Sequence, residues 1–116
     1  MINLAIVGCG KHASNFHVPS LRRLKKIYKI IGLFDANLSQ AKTLSKKNKI
    51  KKIYKSYRAM LADKNVDVIN ICSPAKFHSK QIIEAIKADK NVMVEKPMVL
   101  KSADLKEIIK INLKKK

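Results

Sequence analysis

An apolar run at residues 2–8, INLAIVG, stops at a glycine, and helix-spaced apolar positions follow at once. The chain repeats this exchange of period along its length. Short continuous apolar runs signal buried strands, and recurrence at three and four residues signals helices. Further strands are predicted at 28–35 (YKIIGLFD), 52–54 (KIY, a minimal one), 66–72 (VDVINIC) and 91–95 (NVMVE). Helices are predicted at 12–28, 38–47, 56–63, 76–89 and from Ser102 to Leu113. Pro19 predicts a kink in the first of these, or two short helices with proline in the first turn of the second. Ser56 and Ser102 are expected N-caps, with Asp104 in the last helix's first turn. Strands alternating with helices make a doubly wound α/β fold, a parallel sheet covered on both faces. At 116 residues the chain supplies one core and one domain, 1–116. The lysine-rich stretch 46–55 reads as a loop and Lys114–Lys116 as a fraying end.

The first strand runs into Gly8-Cys9-Gly10-Lys11-His12-Ala13, the pattern G-x-G-x-x-A. Gly8 allows the tight turn. Gly10 lets a pyrophosphate approach the backbone, and Ala13 lets the helix pack close to the strand. Backbone donors of Lys11, His12 and their neighbours then face the phosphate oxygens at the helix start. The pattern is weak alone, but here it follows a strand and opens a helix, as its mechanism requires. The expectation is a Rossmann-like dinucleotide site. The second strand ends in Asp35, 25 residues after Gly10, near the spacing of an acid that binds the adenosine ribose hydroxyls. A carboxylate without a neighbouring arginine repels a 2′-phosphate, so NAD is expected and NADP is disfavoured.

Ligands of open α/β sheets bind beyond the carboxyl ends of the strands. The fourth strand ends in Cys72-Ser73-Pro74, with His78 soon after. The fifth ends in Glu95-Lys96-Pro97. Ser73, Pro74 and His78 are therefore expected to border the same crevice as the glycine turn. Lys96 is placed to reach a hydroxyl or carbonyl near a nicotinamide ring and to act there as acid or base. Pro97 restricts the backbone beyond it.

Basic residues outnumber acidic ones by 26 to 8, a net charge of +18. Such a field attracts phosphates and polyanions. All but three of the basic residues are lysine, however, spread without aromatic interleaving, whereas base readers favour arginine and stacking rings. A nucleic-acid-binding role is therefore ranked below a dinucleotide site, and an AT-rich coding bias explains the lysines. No stretch is long and apolar enough for a membrane span, and the N-terminus lacks a signal-peptide pattern. With only Cys9 and Cys72, a reduced cytoplasmic protein is expected. No metal site is expected.

Taken together these residues resemble the N-terminal domain of the glucose–fructose oxidoreductase / inositol dehydrogenase / MocA (Gfo/Idh/MocA) family. The resemblance runs from Ile2 to about Ile111. It rests on Gly8–Ala13, on His17-Val-Pro-Ser-Leu21, on Asp35, on the segment from Val66 to Met98, and most specifically on Glu95-Lys96-Pro97. It implies an NAD(P)-dependent oxidoreductase acting on a sugar, cyclitol or nucleotide-sugar hydroxyl. It also implies that Lys96 is catalytic, that Glu95 and Pro97 shape the cofactor pocket, and that Ser73, Pro74 and His78 line the crevice. By the same resemblance the chain stops short of the family's second, C-terminal α/β domain and of a sixth strand. Cofactor binding without turnover is therefore expected, with an exposed sheet edge through which two copies could pair. A stand-alone NAD-sensing module is the alternative.

Overall fold

The computed structural model describes residues 1–115. Four parallel strands, β1 (Ile2–Val7), β2 (Tyr28–Phe34), β3 (Val68–Ile71) and β4 (Asn91–Val94), lie in the order β2-β1-β3-β4. The chain winds outward from β1 to β2, then returns to the other side of β1 and winds outward again. That reversal leaves a crevice between the ends of β1 and β3. The predicted strand at 52–54 is reduced to one parallel bridge, Ile53 to Leu33, on the outer side of β2. Two backbone bonds hold it: Leu33 N–H donates to the Lys52 carbonyl, and Tyr54 N–H donates to that of Leu33. Three residues between lysines are too few to build a longer ladder.

Alternation along the strands divides the core in two. Leu4 and Ile6 of β1 pack with Val18, Leu21, Ala41 and Leu44 on one face. Ala5 and Val7 pack with Ile69, Ile71, Met60, Ile82 and Ile108 on the other. Each fully buried Leu or Ile contributes roughly 1.5–3 kcal/mol. Ile69 and Ile71 belong to β3; the helices supplying the other partners are α1 (Val18–Arg23), α2 (Leu38–Asn48), α3 (Tyr57–Ala62), α4 (His78–Lys87) and α5 (Ser102–Lys114). No helix among the described residues is long and apolar enough to cross a membrane.

Around Pro19 the second of the two expected forms is found, and two other expectations change in detail. A π-helical turn, Ala13–His17, runs directly into the short α1, with Pro19 in its first turn. Proline lacks an N–H, and its ring collides with the carbonyl four residues earlier in a regular helix; a widened turn relieves both. The helix also stops at Arg23, not near Tyr28, because Tyr28 pairs with Ile2 at the start of β2. Leu24 and Ile27 consequently lie in the connecting turn, each about half exposed. Finally, Ser102 is the first helical residue of α5, and Lys101 occupies the N-cap without a side-chain bond. Ser56 does cap α3, its Oγ accepting from the Ala59 N–H at 3.0 Å. Of the terminal lysines expected to fray, Lys114 ends α5 and Lys116 lies outside the described residues.

Gly32 shows how the outer edge of the sheet is fixed. A Cβ there would stand 2.3 Å from the Tyr54 ring, so only glycine leaves room for that ring to lie across β2. The Tyr54 hydroxyl donates to Asp63 Oδ2 at 2.7 Å, Lys52 Nζ donates to the same oxygen at 3.0 Å, and the Asn65 N–H donates to Oδ1 at 2.9 Å. These bonds, that of Tyr54 foremost, then that of the Asn65 N–H, hold the Asp63 carboxyl down from 3.8 to about 2. A depressed carboxyl adds stability above its unfolded value and loses it as pH falls through the folded one. Thermal melts should therefore lose stability between about pH 4 and pH 2, and Asp63→Asn should flatten that limb while lowering the neutral-pH melting point.

Candidate functional site

A cleft of about 410 Å³ opens beyond the carboxyl ends of the strands. Gly8, Gly10, Lys11 and His12 reach it from the turn after β1, and Asp35 from the end of β2. Ser73, Pro74 and His78 border it from the segment after β3; Glu95 and Lys96 come from the end of β4. Ala13 and Pro97 lie just behind it. Ala13 is fully buried beneath the turn, in the core with Leu4 and Ile6. Pro97 follows a cis peptide bond from Lys96, and its carbonyl lies 2.8 Å from Nδ1 of His78.

The two glycines do different work. Gly8 has φ +92°, and a Cβ there would meet Ser73 N at 2.4 Å and Cys72 C at 2.5 Å. It is needed because the end of β3 packs directly on the turn. A Cβ on Gly10 would touch only the Gln40 side chain, at an ordinary 3.6 Å. No protein contact demands glycine at that position, which leaves the space above it open to a ligand. Asp35 fastens the turn: Oδ2 accepts from the Cys9 N–H and Oδ1 from the Asn37 N–H, each at 2.8 Å. Asn37, not Asp35, caps α2. Each Asp35 oxygen retains lone-pair capacity for a further donor. A positive-φ turn, an open Gly10 and a carboxylate without a salt-bridge partner among the described residues fit the phosphate and ribose ends of a dinucleotide.

His78 is only 1% exposed, and its Nε2 lies 2.7 Å from the Ser73 carbonyl oxygen. Its ring borders the cleft, but both nitrogens are engaged with backbone, so it pins the two strand-end segments together. The Ser73 hydroxyl turns away to donate to Gln81 on α4.

The sequence reading leaves out a second polar link. His17, in the π-helical turn, donates from Nε2 to Glu95 Oε2, and Asn70 Nδ2 of β3 donates to its Nδ1 at 3.1 Å. The His17 bond, with the nearby His12 and the Lys96 backbone N–H, holds the Glu95 carboxyl below the usual carboxylate range against the opposing effect of burial. Asn70 is fully buried and its Oδ1 has no partner, a cost of about 1–3 kcal/mol. An amide inside the apolar run VINI was the available signal for it. Glu95 and Lys96, adjacent in sequence, do not form an ion pair with each other; the partner of Glu95 is His17.

Burial first, then the Asp35 charge, pushes the Cys9 thiol up to about 12; burial, then the Glu95 charge, does the same for Cys72. Both are free, and a thiol that stays protonated is a poor nucleophile or metal ligand. The described residues contain no cluster of His, Cys, Asp and Glu fit to hold a metal ion. A larger groove, about 770 Å³, lies away from the strand ends against α5, lined by Lys87, Lys106, Lys110, Lys114 and Lys115. It has neither a glycine turn nor buried polar groups.

Comparison with known proteins agrees with this fold. The chain is 30% identical over 107 residues to D-glucoside 3-dehydrogenase of Escherichia coli, covering 92% of the chain and 30% of that protein. Its fold superposes on an NAD-binding protein from Listeria innocua with TM-score 0.88 and 34% identity, over 98% of the chain and 33% of that structure. It superposes on the WlbA dehydrogenase from Chromobacterium violaceum, solved in complex with NADH and UDP-GlcNAcA, with TM-score 0.91 and 30% identity, over 98% of the chain and 32% of that structure. The chain thus spans about a third of the length of these relatives. The GFO_IDH_MocA profile, described as an oxidoreductase family with an NAD-binding Rossmann fold, matches residues 2–116, and the chain belongs to that family.

Proposed function

We propose that the chain is the dinucleotide-binding part of an oxidoreductase that takes hydride from a hydroxyl of a sugar, cyclitol or nucleotide sugar. The observation that carries this reading is the single cleft shared by Gly8, Gly10, Asp35 and Lys96, which stand on three different strand ends. Bound NAD would supply the hydride acceptor. Backbone donors of the Gly8–Ala13 turn hold the pyrophosphate, and Asp35 accepts from the ribose hydroxyls. Lys96 faces the space left for the nicotinamide end and holds or receives the proton of the substrate hydroxyl. Glu95, Ser73, Pro74 and His78 shape the wall between them.

The relatives with dehydrogenase names are about three times as long as this chain. Orientation of substrate against cofactor supplies much of the rate of such a reaction. We infer that the 116-residue chain binds NAD weakly and does not turn over alone. Calorimetric titration tests the reading: NAD should bind at least tenfold more tightly than NADP. Equal affinities would remove the role given to Asp35, and no heat with either would remove the dinucleotide site.

The outer edge of β4 is unpaired among the described residues, and Met93 and Met98 beside it are each 38% exposed. Open edges invite pairing. A concentration-dependent dimer through β4 is the expected outcome of light scattering, and a monodisperse monomer throughout the series would remove it.

A further inference from the structure

The link between His17 and Glu95 runs from the helical segment that follows the glycine turn to the strand end that carries Lys96, and Glu95 and Lys96 both line the cleft. The Glu95 carboxylate is held by Nε2–H of His17. His17 is in turn held by Asn70, which rises from the centre of the sheet. The ring is 20% exposed and the carboxylate 30%, so the contact is partly shielded from water. The widened turn at Ala13–His17 carries the ring to this position.

The two contacts also dictate where the imidazole proton sits. An Asn70 amide N–H facing Nδ1 requires a lone pair there, so the proton must be on Nε2, the nitrogen that faces Glu95. As placed, the Asn70 amide presents Nδ2 to the ring, and its own Oδ1 has no partner. Turning the amide over would put oxygen against Nδ1 and demand a proton on both nitrogens.

We propose that His17 is a positioning residue for Lys96: fixed by Asn70, its imidazole holds Glu95 and thereby locks the Lys96 strand end to the helix of the phosphate turn. This rests on the reading of the cleft as a dinucleotide site with Lys96 at its reacting end. Dinucleotide affinity and lysine placement are then coupled through one ring, although the ring need not touch the cofactor.

The test uses the full chain. In the cofactor-free wild type, nitrogen-15 NMR of the histidines should show His17 with its proton on Nε2; a ring protonated on Nδ1 alone would overturn the proposal without any variant. In His17→Ala, hydrogen exchange at the Glu95 amide, which donates to the Ile71 carbonyl at 3.0 Å, should accelerate at least tenfold relative to amides of β1. The transferred NOE between the nicotinamide protons of NAD and Lys96 should disappear. His17→Gln, whose amide can still donate to Glu95, should restore both, a rescue that general loosening of the fold would not give. An unchanged Lys96 NOE in His17→Ala would overturn the proposal. Absence of NAD binding to the wild type would instead overturn the dinucleotide reading beneath it, and the exchange and proton-position measurements separate that outcome from failure of the His17 link.

Discussion

Gly8→Ala should unfold the turn and abolish dinucleotide binding together. At φ +92° any other residue is strained by roughly 1–3 kcal/mol. The added methyl would also stand 2.4–2.7 Å from backbone atoms of Cys72 and Ser73, which cannot rotate away as a side chain can. Either β3 must separate from β1 or the turn must rebuild. A combined loss of about 3 kcal/mol or more is a large part of the 5–15 kcal/mol that stabilises ordinary domains. The melting point should fall by roughly 10–20 °C, and NAD affinity should fall at least a hundredfold. Gly10→Ala supplies the contrast. Its methyl meets only Gln40 at 3.6 Å, so the melting point should hold within a few degrees while affinity drops at least tenfold. Equal thermal losses in both variants would contradict the separate duties assigned to the two glycines.

Asp35→Ala should weaken NAD binding by about ten- to a hundredfold and erase the preference over NADP. The substitution removes two acceptors at once, leaving the Cys9 and Asn37 N–H groups unserved. It also removes the charge that repels a 2′-phosphate. Two charges about 4 Å apart interact by about 1 kcal/mol in water and several times that in a partly shielded cleft. Removing that repulsion should raise NADP affinity relative to NAD even as both fall. Paired titrations of wild type and Asp35→Ala read the ratio directly. A retained preference for NAD would mean that discrimination resides elsewhere in the cleft.

Much of this cleft was legible in the chain because its signals are local. A strand, a glycine turn and a helix start lie within a dozen residues, and Asp35 and Lys96 each stand at the end of an apolar run. Periodicity therefore locates strand ends, and the winding rule collects those ends on one side of the sheet. What escaped depends on pairings that periodicity does not encode. His17 and Glu95 are 78 residues apart, His17 and Asn70 are 53 apart, and their meeting needs both the strand order and the widened turn. The overlong first helix failed for a similar reason. Leu24 and Ile27 keep helical spacing, but pairing of Tyr28 with Ile2 ends the helix before them. The short segment at 52–54 had strand-like residues and too little length to use them.

The strand order also sets when the cleft can exist during folding. β1 can zip to β2 after closing a loop of some two dozen residues, but Asn3 meets Asp67 only across a separation of 64. The space above Gly8 is finished only when Ser73 arrives beside it. Ring closures of that span are slow steps, so a fluorescent dinucleotide added to a refolding chain should light up late, after most helical signal has returned. Ligand capture would then report completion of the second half of the sheet, in real time and from the first half's own turn.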